Sequence, residues 1–519
     1  MFTEDEKKVL SYFFTNTDKN IYCAKDTIPS TMWANLLGKY SRSKESMRER
    51  FLKTFKDIDG LPYEDFINYF KDADMNNKFI ENAMQKADAF LMKYAVEYGH
   101  NSLKDSAVDR VAIENVSIRA AKILEDTHMA AFQEKSTRYV GFSSESFIIP
   151  EESKYDEGID LLEDAMKLYD KVFDAAFNYY KEENDKTSFK SEAAWERTCR
   201  AKAFDEARYL IPSCVQTSLG VTIPTRETER WLSRLLGAPE SEVRNIAEQI
   251  LTECKKVNGG LLTHVSANEY LNPKTINFVN QEDKSPHSKR DCFISNFSEE
   301  EKNECESNIA IRAFVASNGF TSNIFKNPKE MVNLFAEKIL SKRGAHDEFP
   351  EYMNIGAIDF LFVIDIVAYR DVQRHRQGSM VCSEWSDGYG YSIPDFLKIE
   401  KFKDLAKEYD NLFTKLDNFI ASIHDIDRFG ASYYTLLGFN VFVIYNCTFK
   451  QAAYFIELRS APAGHYSYRR LAGKMYEAVK KYFPTYSKYI RYQGDNESTR
   501  KSQEEKIQEK LSKLNGEKH

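Results

Sequence analysis

The chain has 519 residues, 42% hydrophobic and 13% aromatic, enough to bury ample core and, by length, to make roughly two to four domains. Its 80 Asp and Glu outnumber 72 Lys and Arg, and the net charge of −8 argues against a general nucleic-acid binder, so any anion site must be local. Eight scattered cysteines without a CxxC pair argue against structural zinc and a disulfide scaffold. The start MFTEDEKKVLSYFF carries acids where a signal peptide carries basic residues, and no apolar run reaches membrane-spanning length, so the expectation is a cytoplasmic protein with no metal and no membrane partner.

In chain order, SYFFTNTDKN, TMWANLLGKY and MRERFLKTFKDI place apolar residues three and four apart, which predicts helices through the first 95 residues, continued by IENAMQKADAFLMKYAVEYGH to Gly99 and His100. Val108–Ile118 alternates like a strand, Arg119–Asp126 restarts a helix, and SFIIP is a short strand stopped by Pro150. Helices are predicted over Gly158–Glu183, Thr222–Leu236 and Glu240–Lys256, the last two amphipathic. Asn272–Asp291, charged and holding two prolines, reads as a linker or surface excursion.

Beyond it the order of elements recurs. Helices over Glu299–Leu340 precede an alternating strand at Ala357–Ile366, the triplet Arg374-His375-Arg376, and a GYSIP strand stopped by Pro394. A helix at Lys398–Ile423, the segment ASYYTL, a strand at Phe439–Tyr445 and two helices ending near Phe483 follow; Ser498–His519 reads as a charged, frayed helix.

This recurrence points to an internal duplication of about half the chain. Twelve residues before Arg138 of QEKSTRYVGF stands Asp126, and twelve after Arg374 of RDVQRHRQGSMVCSEW stands Ser386. The first half therefore has STRY without RHR, and the second has RHR without STRY. Arg208 of ARYLIP is followed 27 residues on by Leu235, whereas Ser432 of ASYYTL is followed 27 residues on by Arg459 of IELRS. Each half keeps the arginine that the other lacks. Taken alone, the basic triplet reads as a solvated face or a salt-bridge hub, but structural decay gives no reason for the landmarks to sort into one complete set.

RHR, SxRY, the AR followed by a proline, the helix carrying LRS, and a GH about 25 residues before the basic motif together resemble the flavin-dependent thymidylate synthase (ThyX) family, whose continuous motif reads RHRxxSxNExSxRY. The resemblance covers about residues 30–260 and again 290–490. It implies an α+β fold of two ThyX-like lobes, each an antiparallel sheet flanked by helices, arranged as an internal pseudo-dimer. The corresponding domains are 1–260 and 291–495, with a linker at 261–290 and a charged helical tail at 496–519.

The family's deoxyuridylate (dUMP) site lies between subunits. Carried over, the first lobe supplies Glu134, Ser136, Arg138 and Arg208, and the second supplies Arg374 and Arg459, so that one site per chain is built from both lobes. The opposite set, Asp126 and Leu235 with Cys382, Glu384, Ser386 and Ser432, could not hold a phosphate. The implied reaction is reductive methylation of dUMP to dTMP with methylenetetrahydrofolate, FAD and NAD(P)H. Arginine forks suit the phosphate, and Arg459 is the expected catalytic group, stabilising an imide-like anion at the N3/O4 edge of uracil.

For FAD the resemblance implies Arg374, His375, Arg376, Thr448 and Lys450, with His100 and Ser102 from the GH element; Thr448 and Tyr454 stand where the family usually has asparagine. His375 reads equally as a core histidine, and Cys382 as a small buried apolar residue rather than a nucleophile. Two chains are expected to pair as a homodimer forming a pseudo-tetramer, a monomer being the alternative. The alternative functions are a related flavoenzyme modifying C5 of another pyrimidine, suggested by Cys382, Glu384 and Tyr454, and a non-catalytic nucleotide-binding relative.

Overall fold

The computed structural model describes residues 2–56, 62–71, 101–136, 147–189, 191–272, 292–295, 304–318, 328–354, 356–462 and 464–494. Its helices are α1 (Glu4–Phe13), α2 (Ser30–Tyr40), α3 (Met47–Lys56), α4 (Tyr63–Lys71), α5 (Ile118–Leu124), α6 (Asp156–Glu183), α7 (Glu192–Ala207), α8 (Thr225–Leu236), α9 (Ser241–Asn258), α10 (Cys305–Asn318), α11 (Pro328–Lys338), α12 (Ile366–Val372), α13 (Lys403–His424), α14 (Arg428–Ala431), α15 (Phe449–Arg459) and α16 (Tyr466–Tyr482). Its strands are β1 (Ile21–Cys23), β2 (Val108–Ser117), β3 (Ala131–Glu134), β4 (Gln216–Pro224), β5 (Phe293–Ile294), β6 (Ile358–Asp365), β7 (Ser379–Cys382) and β8 (Asn440–Cys447). The fold is α+β, with every strand pair antiparallel. The chain forms two compact units, the first from 1–167, 211–283 and 418–435, the second from 168–210, 284–417 and 436–519. These units do not follow the linear halves: 168–210, which holds Arg208, belongs to the second.

The first unit carries a sheet in the order β1-β2-β4-β3. Alternation along its strands sends Ile21, Cys23, Val111, Ile113, Leu219, Val221 and Ile223 into a core shared with α5, α8 and α9. Tyr22 and Ala112, one residue out of phase, face the opposite core built on α1, α2 and α3. Each fully buried large side chain there contributes about 1.5–3 kcal/mol. The Trp231 indole is fully buried and donates Nε1–H to the Leu124 carbonyl at 2.9 Å, so its polar end is not stranded. At Gly220 of β4, a Cβ would meet Leu37 Cδ2 at 2.2 Å, and only glycine lets α2 lie this close to the sheet.

The register of β2 slips between Ile113 and Val116, where Asn115 takes φ 58°. The slip aims the buried Glu114 carboxylate at the Tyr22 hydroxyl (2.9 Å) and the Met47 amide (2.8 Å), capping α3.

The second unit carries a sheet in the order β5-β6-β8-β7, the same pattern. The correspondence extends to detail within each unit. Helices α5 and α12 both have seven residues, and strands β3 and β7 both have four. Ser117 caps α5 by accepting from the Ala120 amide at 2.9 Å, as Asp365 caps α12 by accepting from Ala368 at 2.8 Å. The Ser117 hydroxyl meets the Glu242 carboxylate at 2.7 Å. In the second unit the carboxylate is on the cap and the hydroxyl on α16, where Ser467 donates to Asp365.

Several expected elements differ. The predicted helix Thr222–Leu236 begins at Thr225, because the preceding nine residues, QTSLGVTIP, form the central strand β4. Strand β1 stands where only helix was expected, and of the SFIIP and GYSIP strands only Phe147 and Tyr391 make an isolated bridge each. The predicted helix at Ile80–His100, the 273–291 linker residues and the 496–519 tail lie outside the described residues. Among the described residues, no helix is long and apolar enough to cross a membrane, and no cluster of His, Cys, Asp and Glu could hold a metal.

Candidate functional site

The second unit gathers the basic triplet and the arginine of IELRS. Helix α12 ends at Val372, and the chain turns through Arg374, His375 and Arg376 into β7. At Gly378 in this turn a Cβ would meet the Asn446 carbonyl oxygen at 2.6 Å, so the absence of a side chain lets the turn sit against β8. Arg374 is exposed and Arg376 half-buried, while His375 between them is only 8% exposed. The imidazole lies 4.4 Å from the Phe455 ring and 5.9 Å from the Tyr454 ring, centroid to centroid, both on α15.

One turn further along α15, Arg459 donates Nε–H to His375 Nε2 at 2.8 Å and Nη2–H to the Asp371 carbonyl at 2.6 Å. The Asp371 carboxylate stands 3.8 Å from Nη1, and the Tyr468 ring lies under the guanidinium with its centroid 5.2 Å away. Burial first, then the charges of Arg459 and Arg376, push His375 down to about 3 against the pull of Asp371. The triplet is thus two cations flanking a neutral ring, not three positive groups.

Arg208 sits in the turn after α7, in the same unit. It is 3% exposed, its nearest carboxylate is Asp205 at 3.7 Å, and its Nε and Nη2 have no hydrogen-bond partner among the described residues. Two unsatisfied donors on one buried guanidinium are costly. The adjacent Tyr209 ring is 5.8 Å from His465, which lies 6.2 Å from Tyr468, so packed rings run from the Arg208 turn to Arg459. Burial raises the Asp365 carboxyl, against hydrogen bonds from Ser467 and the Ala368 amide and the charge of Arg208. A cavity of about 120 Å³ opens beside Tyr209, lined also by Asp365, Asn440, Tyr466, Ser467 and Arg470 among others; Arg208, Arg374, His375 and Arg459 do not line it.

Behind Arg208, Glu206 is buried and accepts from the Tyr180 hydroxyl at 2.9 Å and from the Phe396 amide and Tyr466 hydroxyl at 3.4 Å. Burial pushes its carboxyl up to about 7, against the hydrogen bonds. Between the ordinary glutamate range and that value, the folded protein holds a proton the unfolded chain has lost. Stability therefore falls as pH rises through that window, by about 3 kcal/mol in all. Glu206→Gln should remove this dependence, melting several degrees above wild type at pH 8 and close to it at pH 5. Thermal scans in which the variant never exceeds wild type at pH 8 would refute the assignment.

The FAD residues expected from the sequence are held as follows. Thr448 caps α15 in a reciprocal pair with Gln451 and donates its hydroxyl to Asn354 at 3.0 Å. Gln451 in turn donates to the Gln377 carbonyl at 2.9 Å, tying α15 to the basic turn. Lys450 pairs with Glu351, and with Glu348 at 3.1 Å, both carboxylates being largely exposed. Tyr454 is 51% exposed, with Leu458 exposed one turn on. Arg374, Arg376, Lys450 and the open Tyr454 ring are of the types that fit an anionic, planar group; Thr448 and His375 are engaged inside the protein.

In the first unit, Glu134 ends β3 with its side chain buried, and its carboxylate meets Lys122 Nζ at 2.7 Å. Lys122 also pairs with Glu125 at 2.6 Å, and all three side chains are buried. Ser136 donates its backbone amide to the Ser41 carbonyl at 3.0 Å. Arg138 and His100 lie outside the described residues, as does the Ser102 side chain. Lys122, Glu206, Asp371 and Tyr468 were not singled out from the sequence. The hydroxyl-carboxylate exchange between the two caps would have pointed to Asp365 had the two halves been compared at that position.

Residues 63–258 match the Thy1 family, thymidylate synthase complementing protein. A UPF0159 protein of Chlamydia muridarum is 26% identical over 523 residues, covering 95% of each chain. A flavin-dependent thymidylate synthase of Clostridium tetani is 27% identical over 199 residues, 37% of this chain and 74% of that one. Among solved structures, the flavin-dependent thymidylate synthase ThyX of Helicobacter pylori, complexed with FAD and dUMP, overlaps at a TM-score of 0.27 and 15% identity, over 39% of this chain and 98% of that one.

Proposed function

The chain carries a domain of the ThyX family, and on that premise we propose that it is a flavin-dependent thymidylate synthase, converting dUMP to dTMP with methylenetetrahydrofolate as one-carbon donor and NAD(P)H as reductant. The observation that carries this reading is the buried Arg208 guanidinium, with two donors unsatisfied among the described residues, in the same unit as Arg374 and Arg459. A nucleotide phosphate would supply the missing acceptors.

In this reading Arg208 and Arg374 bind phosphate, and Arg459 faces the N3/O4 edge of the pyrimidine, where a fixed cation stabilises charge delocalised from C5. Its guanidinium is already held on two sides, by His375 and the Asp371 carbonyl, so little reorganisation is needed. Arg374, Arg376 and Lys450, with Tyr454, would hold FAD, which when bound supplies the hydride for reduction. Glu134, Ser136 and Arg138 complete the nucleotide set on the strength of the complementary motif loss in the sequence. The matching strand orders and caps support reading the chain as a tandem duplication, and a homodimer forming a pseudo-tetramer belongs to the same proposal. Release of tritium from C5-labelled dUMP, dependent on FAD, tests it.

A further inference from the structure

We propose that His375 is a positioning residue: an imidazole acceptor that fixes the direction in which Arg459 presents its guanidinium to the pyrimidine. The proposal deepens the function above, in which Arg459 faces the substrate. Its motive is a contact in which the middle residue of the basic triplet serves another arginine rather than an anion.

Arginine has donors only, so the 2.8 Å contact between Arg459 Nε and His375 Nε2 requires a lone pair on Nε2. The ring proton then sits on Nδ1, an assignment that follows from the partner. The imidazole cannot turn away, because Phe455 lies against it, four residues before Arg459 and on the same face of α15. The Asp371 carbonyl, in the last turn of α12, takes Nη2–H. A carbonyl in the last turn of a helix favours a cation. Two edges of the guanidinium are thereby fixed by His375 and the Asp371 carbonyl, leaving Nη1 beside the Asp371 carboxylate at 3.8 Å. Burial and the two neighbouring arginines keep the ring neutral, so it accepts at every working pH. A lysine or a charged histidine here would repel Arg459 instead.

The test uses the full chain with FAD. His375→Leu removes the acceptor and should weaken dUMP binding by about 10- to 100-fold, as expected for one hydrogen bond to a charged group. His375→Gln, whose amide oxygen reaches the Nε2 position, should restore affinity to within about threefold. Both should leave the melting temperature near that of wild type. Separately, ¹⁵N spectra of histidine-labelled protein without nucleotide should show His375 with Nε2 unprotonated from pH 5 to 8, a tautomer lost in Arg459→Ala. Leucine binding dUMP like wild type, glutamine no better than leucine, or a His375 signal unmoved by Arg459→Ala would each overturn the proposal. If Arg459→Ala leaves dUMP affinity unchanged while the spectra behave as stated, the contact stands and the proposed function fails.

Discussion

Replacing Lys122 by methionine is expected to destabilise the protein by about 3–5 kcal/mol, the cost of removing one partner from a buried ion cluster. The Lys122 ammonium lies 2.6 Å from Glu125 and 2.7 Å from Glu134, and none of the three side chains is more than 2% exposed. Without the cation, two carboxylates remain close together in low dielectric. They must repel each other, take up protons or draw in water, and each route costs free energy. In a melting experiment the loss should appear as a fall on the order of 10 °C. A triple variant that also carries Glu125→Gln and Glu134→Gln should recover most of it, since the two carboxylates that Lys122 balances are then neutral amides. A Lys122→Met protein that melts within a degree or two of wild type would show that the cluster does not bear on stability.

Arg208→Met is expected to show the reverse pattern: stability unchanged or raised, with dUMP affinity lowered by at least about 100-fold. The native guanidinium is desolvated, its Nε and Nη2 have no hydrogen-bond partner among the described residues, and its nearest carboxylate is 3.7 Å away. Methionine of similar reach removes that desolvation cost and fills the same space. The same substitution takes away a charged fork that a nucleotide phosphate would engage. A residue kept for packing or a salt bridge would give lower stability and unchanged affinity. Calorimetric titration with dUMP and a thermal scan of the same sample separate the two outcomes.

How much of this was legible beforehand depends on how local the signal is. Ile358–Asp365 alternates cleanly, and its burial alternates with it, so that strand was plain. Long helices such as Asp156–Glu183 carried enough turns for their period to emerge. QTSLGVTIP was missed as a strand because its threonines, serine and glycine look polar, although both faces are covered by helices and the side chains that fit are small. Strand β1, three residues long beside a polar run, is too short for periodicity to register.

The site shows the same division. Arg208, Arg374 and Arg459 are proposed from motif spacing, which is a property of the chain. The contact between His375 and Arg459 spans 84 positions, and the neutral state of the ring comes from burial that only the fold creates. Lys122 was passed over because a lysine on a helix reads as solvated; its burial depends on Glu134 arriving from β3.

The most direct test of the central claim is tritium release from C5-labelled dUMP by the purified full chain supplied with FAD, NAD(P)H and methylenetetrahydrofolate. The account predicts release coupled to dTMP formation, absent without FAD and abolished in Arg459→Ala. Tight binding of dUMP with no tritium released under any of these conditions would contradict it and leave a nucleotide-binding protein without the chemistry.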